Sequence, residues 1–342
     1  MISIMMLAAV KREEMSFDND YDSSSEKMTA AENFNKARNR AFLSMIQNII
    51  TPDRDKLLSF HDVKEVLKPK GQSYKGLREV PLNLIIGSEG RSQDFTREFL
   101  PRKEFIRARW ESVDRAQIGS ITLPPVQLYE IGGAYFVRDG NHRVSVAISQ
   151  GGEVIDAEVT SLDSEITIDP SMTTGDLHKA VIKFEKKLFC EKTSYEKLTG
   201  DVNLDFSIPG RYDVIFKHIA GHKYYLNMDR NEEISFGDSL VSWYKEIYFP
   251  IINIIDEENI CMSFPGKTKS DLYIYIVKHW DFIKRKSDKE LTIVDAALDY
   301  KKKYGKEIPF FTRLLLSVKK IYGSRGKAKN KKQNRTAGGS PQ

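Results

Sequence analysis

The sequence, 342 residues long, predicts an α+β fold: a small mixed sheet flanked by an N-terminal helical segment and a mainly helical C-terminal domain. Three observations carry this. Between Val126 and Val159, apolar alternation, a Gly132-Gly133 pair and one short helical run spell strand, hairpin, strand, turn, helix, strand. Upstream, Phe34, Ala37, Ala41, Phe42, Met45, Ile46 and Ile49 follow helical spacing until Pro52 ends the pattern. Downstream, three Ser/Thr-x-x-acid boxes (Thr193 to Glu196, Ser235 to Asp238, Thr268 to Asp271) precede apolar-periodic runs, as helix caps do.

In chain order, residues 1–28 read as a disordered leader and 29–76 as a helical segment, with a second short helix over Ser59 to Leu67. The apolar stretch Met1 to Val10 is too short to span a bilayer, and no other apolar run approaches that length, so no membrane partner is expected. Lys36, Arg38 and Arg40 give the first helix a basic outer face, which reads as a solvated face before it reads as a DNA contact. Residues 77–165 form the sheet domain. Val126 to Ile131 and Ala134 to Arg138 are its hairpin strands, the helix runs from Asn141 to Ser149 and stops at Gly151-Gly152, and Val154 to Val159 is the third strand.

The turn Asp139-Gly140-Asn141-His142-Arg143 holds the chemistry. A strand that delivers a glycine to a helix N-terminus gathers unpaired backbone N–H groups beside the positive end of the helix dipole. His142 and Arg143 add side-chain donors for phosphate, and Asp139 can hold a metal or a hydroxyl. These residues make an anion site for a nucleotide or another phosphorylated group.

This Asp-Gly-Asn-His-Arg run resembles the phosphate-binding motif of the ParB/sulfiredoxin-like fold, a superfamily with ParB N-terminal domains, sulfiredoxins and free-serine kinases among its members. Val80 to Arg91 is similar to the family's opening strand and the loop after it. The resemblance implies that Arg91 faces the phosphates, that Gly140 contacts them through its backbone, and that Asn141, His142 and Arg143 complete the cofactor-binding set. Glu89 stands where the kinase branch has its catalytic acid. No cysteine lies near the motif, which excludes the sulfiredoxin reaction, and Asn141-His142-Arg143 departs from the Glu-Arg-Arg form usual in ParB.

Residues 175–322 read as a helical domain. Its strongest helix carries Leu240, Trp243, Tyr244, Ile247, Tyr248, Ile251, Ile254 and Ile255 on one side, and Pro250 should kink or divide it. The stretches His218 to Leu226, Trp243-Tyr244 and Phe264 to Tyr273 resemble the C-terminal part of an uncharacterised bacterial family in which a domain of unknown function follows a ParB-like domain. His218 and His222 share a helix face, but His222 continues the apolar stripe of Ile215, Ile219 and Leu226, which favours a packed or hydrogen-bonded pair over a metal site. Cys190 and Cys261 lack metal spacing and fit a reducing cytoplasm.

The net charge is +5, yet nine basic and no acidic residues follow Glu307, leaving about −4 for the rest. The basic excess is therefore a tail property, and residues 323–342 should be a disordered basic tail able to touch nucleic acid. Two readings follow. In the first, a nucleoside di- or triphosphate with Mg²⁺ binds Arg91, Gly140, Asn141, His142 and Arg143, Asp139 holds the metal, and Glu89, Asp139 and His142 carry catalysis in a nucleotide-dependent switch, hydrolase or small-molecule kinase. In the second, the chain is a ParB-like DNA-binding transcriptional or partition-type regulator without turnover.

Overall fold

Six strands make one mixed sheet in a computed structural model that describes residues 2–48, 55–228, 230–286 and 292–306, with side chains from residue 24 onwards. They are β1 (Leu58–Ser59), β2 (Gln72–Pro81), β3 (Ile85–Ser88), β4 (Val126–Ile131), β5 (Ala134–Asp139) and β6 (Val154–Leu162), in the spatial order β1-β3-β5-β4-β6-β2. The pairs β1–β3, β3–β5 and β4–β6 are parallel, whereas β4–β5 and β2–β6 are antiparallel. The chain divides into two units, residues 1–184 and 185–342, and the sheet lies in the first.

Both faces of the sheet are covered, and successive side chains of its central strands enter opposite cores. Ile85, Leu128 and Val137 enter one core with Phe34, Ala37 and Ala41 of α1 (Ile2–Gln47), Trp110 and Val113 of α3 (Arg107–Ile118), and Val144 and Val146 of α4 (Asn141–Ser149). Their neighbours Ile86, Tyr129 and Phe136 enter the other core with Phe60 and Val63 of α2 (Phe60–Leu67) and Leu177 and Val181 of α5 (Thr174–Thr193). The N-terminal helix is thus part of the sheet unit. Its backbone is helical from Ile2, through the residues expected to be a leader, and among the described side chains its buried stripe begins at Ala30.

Three details differ from the sequence reading. The stretch from Val80 to Arg91 contains two strand segments. Pro81 ends β2, and a single 3₁₀ turn (Leu82–Leu84), tied by the Leu82 N–H to the Glu153 carbonyl at 2.9 Å, leads into β3. Helix α3 has no counterpart in the sequence pattern, because only Trp110 and Val113 are apolar and buried among its first seven residues. The Thr193 box does not form. The Thr193 hydroxyl donates back to the Phe189 carbonyl at 2.7 Å, and Ser194 turns the chain at φ 54° with no side-chain cap on α6 (Tyr195–Thr199).

In the second unit the other two boxes do form. Ser235 accepts from the Asp238 N–H at 3.0 Å on α8 (Phe236–Trp243), and Thr268 and Asp271 exchange bonds of 3.1 and 3.0 Å on α10 (Lys269–Lys286). Pro250 does divide its helix. A π-helical turn over Tyr244–Tyr248 separates α8 from α9 (Phe249–Glu257), placing the proline in the first turn of α9, where its missing N–H costs nothing. On α7 (Arg211–Asn227), His218 bonds the Tyr273 hydroxyl at 3.1 Å and His222 bonds Ser242 at 2.8 Å. Helix α11 (Ile293–Tyr304) closes the described part of the unit, with a Thr292–Asp295 box that the sequence reading did not identify. The basic tail lies outside the described residues.

Gly87 is fixed by its neighbours. A Cβ there would lie 2.4 Å from the Leu58 carbonyl oxygen and 2.4 Å from the Phe136 ring. Both are held by pairing and core packing, so neither can retreat cheaply. We expect Gly87→Ala to lower unfolding free energy by about 1–3 kcal/mol or more, read from urea unfolding. An unchanged midpoint would mean that β3 does not sit between β1 and β5.

Candidate functional site

Strand β5 ends at Asp139, and Gly140 reverses the chain at φ 103°, ψ 22°. A side chain at Gly140 would be strained by that φ and would meet Val126 Cγ1 at 2.6 Å, so only glycine suits the turn. The first intrahelical bond of α4 runs from the Val144 N–H to the Gly140 carbonyl at 3.0 Å. The N–H groups of Asn141, His142 and Arg143 therefore have no intrahelical acceptor, and they stand at the positive end of the helix. A cleft of about 460 Å³ opens over this point, lined by Arg91, Arg109, Val113, Leu123, Pro124 and the whole run Asp139 to Arg143.

The loop after β3 brings Arg91 to the cleft. Buried Ser88 donates to the Val137 carbonyl at 3.3 Å and accepts the Arg91 N–H at 3.3 Å, while the Glu89 N–H bonds the Val137 carbonyl at 2.9 Å. The guanidinium of Arg91 reaches Asp94 at 3.4 Å and stays half exposed. Glu89 is half-buried and is not among the cleft-lining residues.

Asp139 and Arg143 hold each other. The Arg143 Nη2 donates to the Asp139 carboxylate at 2.6 Å, and its Nη1 donates to the carbonyls of Pro124 and, at 2.9 Å, Pro125. The Arg143 side chain is only 15% exposed, against 70% for Asp139. The residue expected to clamp phosphate thus spends its donors on the 124–125 loop and on the residue expected to hold the metal.

His142 does not act as a cation here. Burial chiefly, then the charges of Arg91 and Arg109, push its pKa from the ordinary 6.5 down to about 4, with Asp94 opposing. Its ring lies edge-on to Phe95, centroids 5.6 Å apart, and its Nδ1 is buried with no hydrogen-bond partner among the described residues. Asn141, 8% exposed, likewise has its Oδ1 buried without a partner among the described residues.

Arg109 is the cleft residue that the sequence reading missed. It is exposed, lies one turn before Val113 on α3, and has no ion pair among the described residues. Its position depends on two buried ties between α3 and α4. Trp110 Nε1 donates to Ser145 Oγ at 2.8 Å, and Asp114 accepts from Gln150 at 2.6 Å and from Asn33 of α1 at 2.9 Å. The signal in the sequence was an Arg-Trp pair beside an apolar residue at helical spacing, too sparse to mark a helix.

No family model and no curated protein matches this sequence. Among solved structures it is similar, at 12% identity, to a pNOB8-like ParB N-domain, with 65% of this chain and 82% of that one covered at a TM-score of 0.19. The C2221 form of the same domain is similar at 12% identity, 65% and 87% coverage and a TM-score of 0.18.

The environment of His142 sets a measurable titration. Because the folded chain binds the His142 proton less readily than the unfolded chain, this group removes stability as pH falls from about 6.5 towards about 4. An imidazole titration followed by NMR should place the His142 midpoint near 4, and His142→Gln should lose less stability over that window than the wild type. A midpoint at 6 or above would show an open, solvated ring.

Proposed function

We propose that the cleft binds the phosphates of a nucleoside di- or triphosphate, in a ParB-like protein that works as a nucleotide-dependent switch or phosphotransferase. One observation carries the reading. The free N–H groups of α4 meet two guanidinium groups from separate elements, Arg91 after β3 and Arg109 on α3, in a cleft where Asp139 is the only acid among the described lining residues and is already paired. Charge-assisted bonds from arginine and from a helix N-terminus are the strong contacts to phosphate. A volume of about 460 Å³ lies within the range of small-molecule sites, and Val113, Leu123 and Pro124 offer an apolar wall to a base or sugar.

Asp139, exposed at the rim, would hold Mg²⁺ together with phosphate oxygens, the arrangement usual for that ion, and the metal would neutralise charge between the phosphates. Any cation held there would have to share the Asp139 carboxylate with Arg143. Arg143 could then turn to phosphate, which would release the carbonyls of Pro124 and Pro125 and with them the loop that forms one cleft wall. This exchange of partners is the switch. In a transfer reaction, Asp139 and neutral His142 are the cleft groups with a lone pair to take a proton, and Glu89 is not among the described residues that line the cleft.

Calorimetry with ATP, ADP and CTP, each with Mg²⁺, should detect binding of at least one of them. Arg91→Ala and Arg109→Ala should each weaken it by about 10-fold to 100-fold, the equivalent of one charge-assisted bond. Absence of binding for all three nucleotides would sink the reading, as would affinity indifferent to both arginines.

A further inference from the structure

A second cavity, of about 270 Å³, adjoins the phosphate cleft. It shares Leu123, Pro124 and Arg143 with the cleft and continues over Gln117, Ile121 and Val154. The two chambers differ in chemistry. The first is walled by donors, Arg91, Arg109 and the head of α4. In the second, Arg143 is the only cation among the described lining residues, and its donors are spent on the carbonyls of Pro124 and Pro125 and on Asp139. The one acid among the described residues that line it is Asp156, which stands opposite Glu79 in the β2–β6 pairing. Neither carboxylate has an ion pair among the described residues, so this end of the sheet is negative and disfavours phosphate.

What the second chamber offers is apolar surface left open to water. Ile121 is 63% exposed and Val154 50%, beside half-buried Leu123 and Ile155. Single exposed apolar side chains are ordinary, but these two line one concavity, where one ligand group covers both. Gln117 adds an exposed amide with no hydrogen-bond partner among the described residues, a donor and an acceptor on one frame.

We infer that this second chamber is the nucleobase subsite of the cleft. The inference rests on the reading of the cleft as a nucleotide-phosphate site and adds where the rest of the ligand lies. The phosphates sit at the head of α4 against Arg91 and Arg109, and the sugar crosses Pro124, which lines both chambers. The base lies against Ile121, Leu123 and Val154 with its polar edge towards Gln117. A heterocycle suits these walls, since it is apolar on its faces, carries donors and acceptors on its edge, and brings no negative charge to Asp156. The reverse orientation fails twice, because it sets phosphates beside Asp156 and Glu79 and leaves an uncharged ring among the arginines.

The test compares inorganic tripolyphosphate with ATP and CTP, each with Mg²⁺, by calorimetry on the full chain at pH 7.5. Tripolyphosphate offers the same phosphate chain with no less charge, so a nucleotide's advantage over it comes from the base and sugar. The wild type should bind at least one of the nucleotides about tenfold more tightly than tripolyphosphate, the worth of burying apolar surface equal to one large side chain. Ile121→Ser and Val154→Ser should each cut that preference by about threefold and leave tripolyphosphate affinity unchanged, which also shows that the variants are folded. Both side chains are exposed enough to be truncated without opening the core. If one variant loses tripolyphosphate as well, the other decides. Equal affinity of the wild type for tripolyphosphate and both nucleotides, or a preference untouched by either substitution, would overturn the base subsite and leave the anion site standing. No binding of tripolyphosphate or of either nucleotide would overturn the anion site itself, and this inference with it.

Discussion

Asp114 is a fully buried carboxylate with an amide donor on each oxygen, Asn33 from α1 and Gln150 from the end of α4. A buried acid is tolerable only when its oxygens are satisfied, so three helices must keep their places for this one side chain. One turn earlier, Trp110 fills the same core and spends its indole N–H on buried Ser145. These two contacts lock α3 onto α4 from behind. The cleft lies on the other side of that lock, and Arg109 and Val113 reach it because Trp110 and Asp114 point into the core. Without the lock, the helix N-terminus would remain, but the second guanidinium and much of the apolar wall would not.

The parts of this arrangement that could be read from the sequence are those in which local pattern and tertiary role agree. Strand β4 sets buried against half-buried positions over most of its length, and Gly132-Gly133 joins it to β5 as a tight hairpin. Helix α4 begins at Asn141 and runs to Ser149, as Gly140 and Gly151 signal. Strand β2 was hidden because it is an edge strand whose side chains, Tyr74 and Leu77 among them, mostly face water, so no alternation betrays it. Helix α3 was hidden for a related reason: its buried face is narrow and includes an acid. The Thr193 hydroxyl had two local partners within reach, and the end of the preceding helix won over the start of the next.

The site residues divide along the same line. Sequence order brought Arg91 and the run Asp139 to Arg143 to one cleft, since a strand end and a helix start are local facts. What each side chain does there is set by distant neighbours. Arg143 lies near the carbonyls of Pro124 and Pro125, and a guanidinium with several donors takes every acceptor within reach. His142 is stripped of its charge by burial and by Arg91 and Arg109, which come from two other elements. Neither effect leaves a trace in a motif.

The charge balance of the cleft follows from these roles. With Arg143 matched to Asp139 and His142 neutral, the positive charge offered to a ligand comes from Arg91, partly offset by Asp94, and from Arg109, which has no ion pair among the described residues, supplemented by the helix dipole. That surplus suits an anion without forcing like charges together in the empty cleft. Burial is the chief cause that holds the His142 ring neutral, and the cost of a third cation beside Arg91 and Arg109 adds to it.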